Sequence, residues 1–195
     1  YACKNGNEGI AKVLLENGAD VNVQNIDGDT ALIWACKNQH QSIVELLLRY
    51  NALTYLKNNR GFTAFSWALY KKNKKFFQFL IDQNVDVNVP NNDNWTALMV
   101  ASQNCEMKMV QQLLQQNANT NYQNNYQETA LIIASKEGHL EVVNKLLKFY
   151  SKINNKDNFG DTALLAACRN GHINIVKVLL ENNADINIQN NYGET

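Results

Sequence analysis

Threonine recurs at Thr30, Thr63, Thr96, Thr129, Thr162 and Thr195, and every gap is 33 residues. Ala31, Ala64, Ala97, Ala130 and Ala163 follow in the same register, and so do Ala35, Ala68, Ala101, Ala134 and Ala167. Leucine keeps the period at Leu14, Leu47, Leu80, Leu113, Leu146 and Leu179. The phrase GDTAL stands at residues 28–32 and again at 160–164, four periods later. A period of this length, held without insertion, restricts the fold more than any composition could. Each unit must fold alike and bury itself against its neighbours.

One period can be read physically. Thr30 precedes an apolar run with Leu32, Ile33 and Ala35. A threonine hydroxyl accepts an orphan backbone N–H, so a helix of about two and a half turns is predicted after it. Ile43, Val44, Leu47 and Leu48 then form one stripe on a second helix. That helix is predicted to stop at Gly18, Asn51, Asn84, Asn117 and Asn183, residues that tolerate the left-handed conformation; Tyr150 departs from this rule. Asn25 with Gly28, Asn58 with Gly61, Asp157 with Gly160 and Asn190 with Gly193 read as tight turns. Each unit is therefore turn, helix, short loop, antiparallel helix and extended return. One such unit cannot bury both helix faces. Stacking solves that and leaves a concave surface with no central cavity.

These residues resemble ankyrin repeats. The family pattern Gly-x-Thr-Pro-Leu-His-x-Ala, then Gly-His, an apolar Ile-Val and Leu-Leu pair and Gly-Ala-Asp-Val-Asn, is matched by GDTALIWA, NQHQSIVELLL and NGADVN, and by GDTALLAA, NGHINIVKVLL and NNADIN. The resemblance covers residues 1–195 as one domain: a partial repeat at 1–24, repeats at 25–57, 58–90, 91–123, 124–156 and 157–189, and an opening at 190–195. It implies an all-α solenoid of antiparallel helix pairs joined by short β-hairpin-like loops. Two departures stand out. The helix-opening proline is alanine in every copy, which the fold tolerates. The family histidine is Ile33, Ser66, Met99, Ile132 or Leu165, so apolar contact should replace any polar network it makes between repeats.

Several functions are disfavoured. Lys+Arg and Asp+Glu are equal at 18 each, which argues against nucleic acid as a partner. No run of eighteen apolar residues offers a membrane span, and no basic-then-apolar leader opens the chain. His40, His139 and His172 share one repeat position, about 10 Å apart in a stack, too far to share a metal. Cys3, Cys36 and Cys168 share another, and with Cys105 they are expected as free buried thiols in a reducing intracellular compartment, cytoplasmic or nuclear. No phosphate loop, dinucleotide fingerprint or nucleophile elbow occurs, so neither catalysis, cofactor nor small-molecule substrate is expected. A start at Tyr1 reads as part of a longer protein.

What remains is recognition of another protein. In ankyrin proteins partners meet the hairpin tips and the first helices, and the resemblance carries those positions onto this chain. At the tips they include Arg60, Phe62, Asp93, Trp95, Tyr126, Glu128 and Phe159, with Asp27, Asp29 and Asp161; on the first helices they include Tyr70, Lys71, Lys136 and Arg169. Phe62, Tyr70, Trp95, Tyr126 and Phe159 are expected along one side of the stack as interface anchors. Trp34 and Trp67 are expected to pack between repeats. Repeat 58–90 also gathers Lys57, Arg60, Lys71, Lys72, Lys74 and Lys75 with no acid before Asp82; this is either a solvated face or a contact for an acidic partner. Two rival roles are the targeting part of a larger enzyme, such as a kinase or ubiquitin ligase, and a structural tether or cytoskeletal adaptor. Asn22, Asn88, Asn121, Asn154 and Asn187 resemble loop asparagines that hydroxylases modify in some ankyrin proteins.

Overall fold

The structure is a computed structural model that describes residues 1–71 and 73–195. Lys72, counted above in the basic run, lies outside the described residues. Among the described residues there are twelve helices and no strand. They fall into two compact units, Tyr1–Asn92 and Asp93–Thr195. The N-terminal unit holds α1 (Ala2–Asn5), α2 (Glu8–Glu16), α3 (Ala31–Lys37), α4 (Gln41–Arg49), α5 (Ala64–Tyr70) and α6 (Lys74–Asp82). The C-terminal unit holds α7 (Ala97–Gln103), α8 (Met107–Gln115), α9 (Ala130–Lys136), α10 (Leu140–Leu147), α11 (Ala163–Arg169) and α12 (Ile173–Glu181).

The five helix pairs from α3 onward begin as the period predicts. The hydroxyl oxygens of Thr30, Thr63, Thr129 and Thr162 accept the amides of Ile33, Ser66, Ile132 and Leu165 at 3.1, 3.1, 3.2 and 3.3 Å, and Thr96 caps α7 in the same way. The helices so capped are seven residues long, about two turns, slightly shorter than predicted. Where the family histidine would stand, Ile33, Met99, Ile132 and Leu165 are buried, and the Ser66 hydroxyl donates to the carbonyl of Thr63 in its own cap. The second helices turn the predicted stripe inward: Ile43, Val44, Leu47, Val110, Leu113, Val142, Val143 and Leu146 are sealed from solvent.

Left-handed backbone recurs where each second helix ends, at Gly18, Asn51, Asn84, Asn117, Tyr150 and Asn183. Tyr150 adopts φ 59° like its asparagine counterparts, so the tertiary register overrides a residue that disfavours the conformation. Its ring projects into solvent, where it meets no steric conflict.

The hairpins are built around an asparagine or aspartate whose side-chain oxygen accepts two amides, two and four residues on. Asn58 accepts from Arg60 and Phe62 at 3.1 and 2.9 Å, Asn124 from Tyr126 and Glu128 at 2.9 Å each, and Asn190 from Tyr192 and Glu194 at 2.9 and 3.0 Å. Successive tips within a unit are then tied through the main chain. The Asn59 amide donates to the Asp27 carbonyl, Asn125 to Asp93, Asn158 to Tyr126 and Asn191 to Phe159, at 2.9, 3.1, 2.9 and 2.9 Å. Gly28, at φ +76°, is needed for this approach, because a Cβ there would lie 2.8 Å from the Asn59 nitrogen. At the opposite edge the side-chain oxygens of Asn22, Asn121 and Asn154 accept amides of the following repeat at Leu53, Lys152 and Asp185.

Only one of the four cysteines is fully buried as expected, and Cys3 is half-buried. Cys36 is buried, and burial pushes its thiol pKa up, but Cys105 and Cys168 are exposed. Cys105 occupies a left-handed turn position, φ 55°, at the surface. Cys168 sits on α11 at the register position that Cys36 takes on α3.

Candidate functional site

The candidate residues of the hairpin tips lie at two register positions. The Asx turn carries the residue after next outward and pulls the residue four on back to the same asparagine or aspartate. Tyr126, Phe159 and Tyr192, spaced by 33, take the outward place and are 59%, 53% and 70% exposed. Asp93 takes that place in the C-terminal unit and Arg60 in the N-terminal unit, both exposed. Asp29, Phe62, Trp95, Glu128, Asp161 and Glu194 take the inward place at the hairpin base. The expected single row of aromatics is thereby divided: Phe62 and Trp95 are half-buried at the base, while Tyr126 and Phe159 are at the tips. Tyr192, in the opening segment 190–195, shares the register of Tyr126 and Phe159 and joins them as a candidate.

Asp29, Glu128 and Asp161, expected at the tips, are buried and internally bonded. Asp29 accepts from the Asn58 amide group at 2.7 Å. Glu128 accepts from Asn124 at 3.0 Å and from the Lys136 ammonium at 3.1 Å. Asp161 accepts from Asn190 at 2.8 Å and pairs with Arg169, whose guanidinium also reaches Glu194 at 2.8 Å. The bond from Asn190, and then Arg169, hold the Glu194 carboxyl below the usual range, and the bond to Glu194 raises Arg169 further. In the C-terminal unit the cations of α9 and α11 are thus neutralised by acids eight residues earlier, an interval set by the hairpin folding back on its own helix.

Asp157 is the exception in the hairpin series. Where Asn58 and Asn190 donate to an acid of the preceding repeat, Asp157 has no N–H to give and feels the charges of Asp161 and Glu128. Burial raises its pKa first, the amides of Phe159 and Asp161 pull it back, and the two acids raise it again. A carboxyl whose folded pKa lies above its unfolded one makes the folded state weaker as pH rises through that interval, and the loss persists above it. Asp157→Asn is therefore expected to stabilise the protein by about 0.5–1 kcal/mol near pH 7 and to remove that acid-side gain. Urea unfolding at about pH 4 and about pH 7 checks this; a variant weaker than wild type at the higher pH would contradict it.

The N-terminal unit carries different chemistry at the same positions. Phe62 stacks on Trp67 with centroids 4.7 Å apart, and Tyr70 meets both rings edge-on at 5.9 and 5.4 Å. Arg60 lies 5.4 Å from the Phe62 centroid. Trp67 is buried and Trp34 half-buried. Lys37 occupies the place of Lys136 and Arg169 yet pairs with no acid among the described residues. Its ammonium lies 4.4 Å from the Trp34 centroid and 4.8 Å from that of Trp67, and Lys4 lies 4.6 Å from Trp34. Lys57, Lys71, Lys74 and Lys75 of the basic run are exposed.

The histidines serve the stack. Facing a carbonyl, each ring Nε2–H must donate: His40 to Lys4 at 3.3 Å, His139 to Gln103 at 2.9 Å and His172 to Lys136 at 3.1 Å. Gly138, at φ +81°, leaves the room for His172, because a Cβ there would lie 2.7 Å from its ring. Among the described residues no group of three His, Cys, Asp or Glu side chains could hold a metal, and no helix is long and apolar enough to cross a membrane.

Family profiles for ankyrin repeats match residues 1–91, 72–157 and 159–191. The chain belongs to the ankyrin repeat family. Among solved structures, the ankyrin repeat domain of Bcl-3, described as a unique member of the IkappaB protein family, is 25% identical with a TM-score of 0.85 over 100% of this chain and 89% of that one. An ankyrin repeat domain from Acinetobacter baumannii AYE is also 25% identical, with a TM-score of 0.81 over 94% of this chain and 96% of that one. No curated protein matches the chain. Ankyrin repeats generally mediate protein–protein interaction and are generally non-catalytic.

Proposed function

We propose that this ankyrin repeat protein is a non-catalytic binding module that recognises a partner protein through its hairpin tips and first helices. One observation carries the reading. Tyr126, Phe159 and Tyr192 repeat at one tip position and stand half or more exposed on hairpins tied to one another through the main chain. Aromatic side chains held on a rigid frame lose little entropy on docking and are common interface anchors. The free thiols support an intracellular setting, cytoplasmic or nuclear.

Tyr126→Ala and Phe159→Ala are each expected to leave unfolding nearly unchanged and to weaken a partner by about 2 kcal/mol. Affinity capture, then titration of the captured protein against both variants, measures this. A partner that binds the double variant as tightly as wild type would remove the tips from the reading.

A further inference from the structure

We infer that the first-helix face of the N-terminal unit docks an extended acidic segment of a partner protein, with Lys37 as its central anchor; this rests on, and deepens, the proposed binding function. Lys136 and Arg169, the counterparts of Lys37, are neutralised by Glu128 and Asp161 eight residues earlier. The acid eight residues before Lys37 is Asp29, but its buried carboxylate is bonded by Asn58, and Lys37 lies instead over Trp34 and Trp67. Lys4 converges on the same Trp34 ring. Among the described residues no ion pair reaches Lys4, Lys37, Arg60 or Lys71.

Two ammonium groups gathered on one indole repel each other unless an anion joins them, and the rings hold them in place for it. The N-terminal unit as a whole has ten Lys and Arg against eight Asp and Glu, a net charge of +2, while the C-terminal unit is −2. The complementarity thus favours a carboxylate-rich segment on this unit. Lys4 and Lys37 are one repeat apart, about 8–10 Å for packed helices, which an extended chain spans in about three residues. Acidic side chains at every third position fit that spacing on one face when the segment takes the polyproline II conformation, with about three residues per turn and a rise of about 3.1 Å each. Stacking of nucleic-acid bases fits less well, because ammonium groups already cover the indole faces.

The probe is a fluorescent peptide of about twelve residues with Glu at every third position and Ser or Gly between, titrated by anisotropy against the full chain. Its Lys-for-Glu counterpart and a single-stranded oligothymidylate of matching charge serve as controls. The Glu peptide is expected to bind, to perturb tryptophan emission and to weaken with salt. K37Q should lower its affinity about fivefold or more, the K4Q/K37Q pair further, and K37R should retain it. Circular dichroism verifies that each variant folds; if a glutamine variant does not, the charge reversal K37E, expected to repel the Glu peptide and admit the Lys one, provides the same test. No binding of the Glu peptide, equal binding by K4Q/K37Q, or tighter binding of the oligothymidylate would overturn the inference. A captured protein that needs Tyr126 and Phe159 but ignores K4Q/K37Q would overturn it too, while leaving the proposed function standing.

Discussion

Phe77→Ala is expected to destabilise the N-terminal unit by about 3–5 kcal/mol. Phe77 lies on α6 with no solvent exposure, and its ring meets Phe65 on α5 at a centroid distance of 5.1 Å. The other repeats fill these two places with smaller residues: Val44, Val110, Val143 and Val176 align with Phe77, and Leu32, Leu98, Leu131 and Leu164 with Phe65. The aromatic pair is therefore a local solution, and removing one ring leaves a cavity that its partner cannot fill without leaving its rotamer. Guanidinium unfolding followed by far-ultraviolet circular dichroism measures the loss. A change below about 1.5 kcal/mol would mean that α5 and α6 collapse onto the gap and are not rigidly packed.

Asn58→Ala is expected to cost about 2–4 kcal/mol, because one side chain performs three tasks. Its oxygen accepts from Arg60 and Phe62 at 3.1 and 2.9 Å, closing the hairpin, and its amide group donates to Asp29 at 2.7 Å. Without it Asp29 stays buried with its donor gone. Asn58→Asp separates the tasks. It keeps the accepting oxygen but sets a second carboxylate against Asp29, so its loss should shrink on acidification through the carboxylate range as one of the two is neutralised. The loss in Asn58→Ala should lack that pH-dependent recovery of a carboxylate pair. If both variants melt with wild type at neutral pH, Asn58 does not organise the hairpin.

Much of the scaffold was legible because periodic letters repeat one local physical problem. The threonines cap the first helices, the alanines that follow open them, and Leu47, Leu80, Leu113, Leu146 and Leu179 face inward as the spacing requires, while Leu14 of the partial first repeat is half exposed. The candidate contacts were less legible. The sequence placed Asp29, Glu128 and Asp161 at hairpin tips, because residues near a turn read alike. The Asx turn decides which of them project, and it returns these three to its own base. The eight-residue pairing of Glu128 with Lys136 and of Asp161 with Arg169 carries no helical or strand periodicity, since it joins a loop to the helix it precedes. Lys37 and Lys136 look equivalent in the sequence. They differ because Trp34 and Trp67 flank the first and Glu128 reaches the second.

The sequence alone determined the repeating helix pair, its caps, its buried stripe and its membership among ankyrin repeats, since each depends on residues close together along one period. Tertiary structure decided which cations are neutralised, which acids are buried and which aromatics reach solvent. Those outcomes depend on side chains brought together from adjacent repeats, at distances that no local spacing encodes.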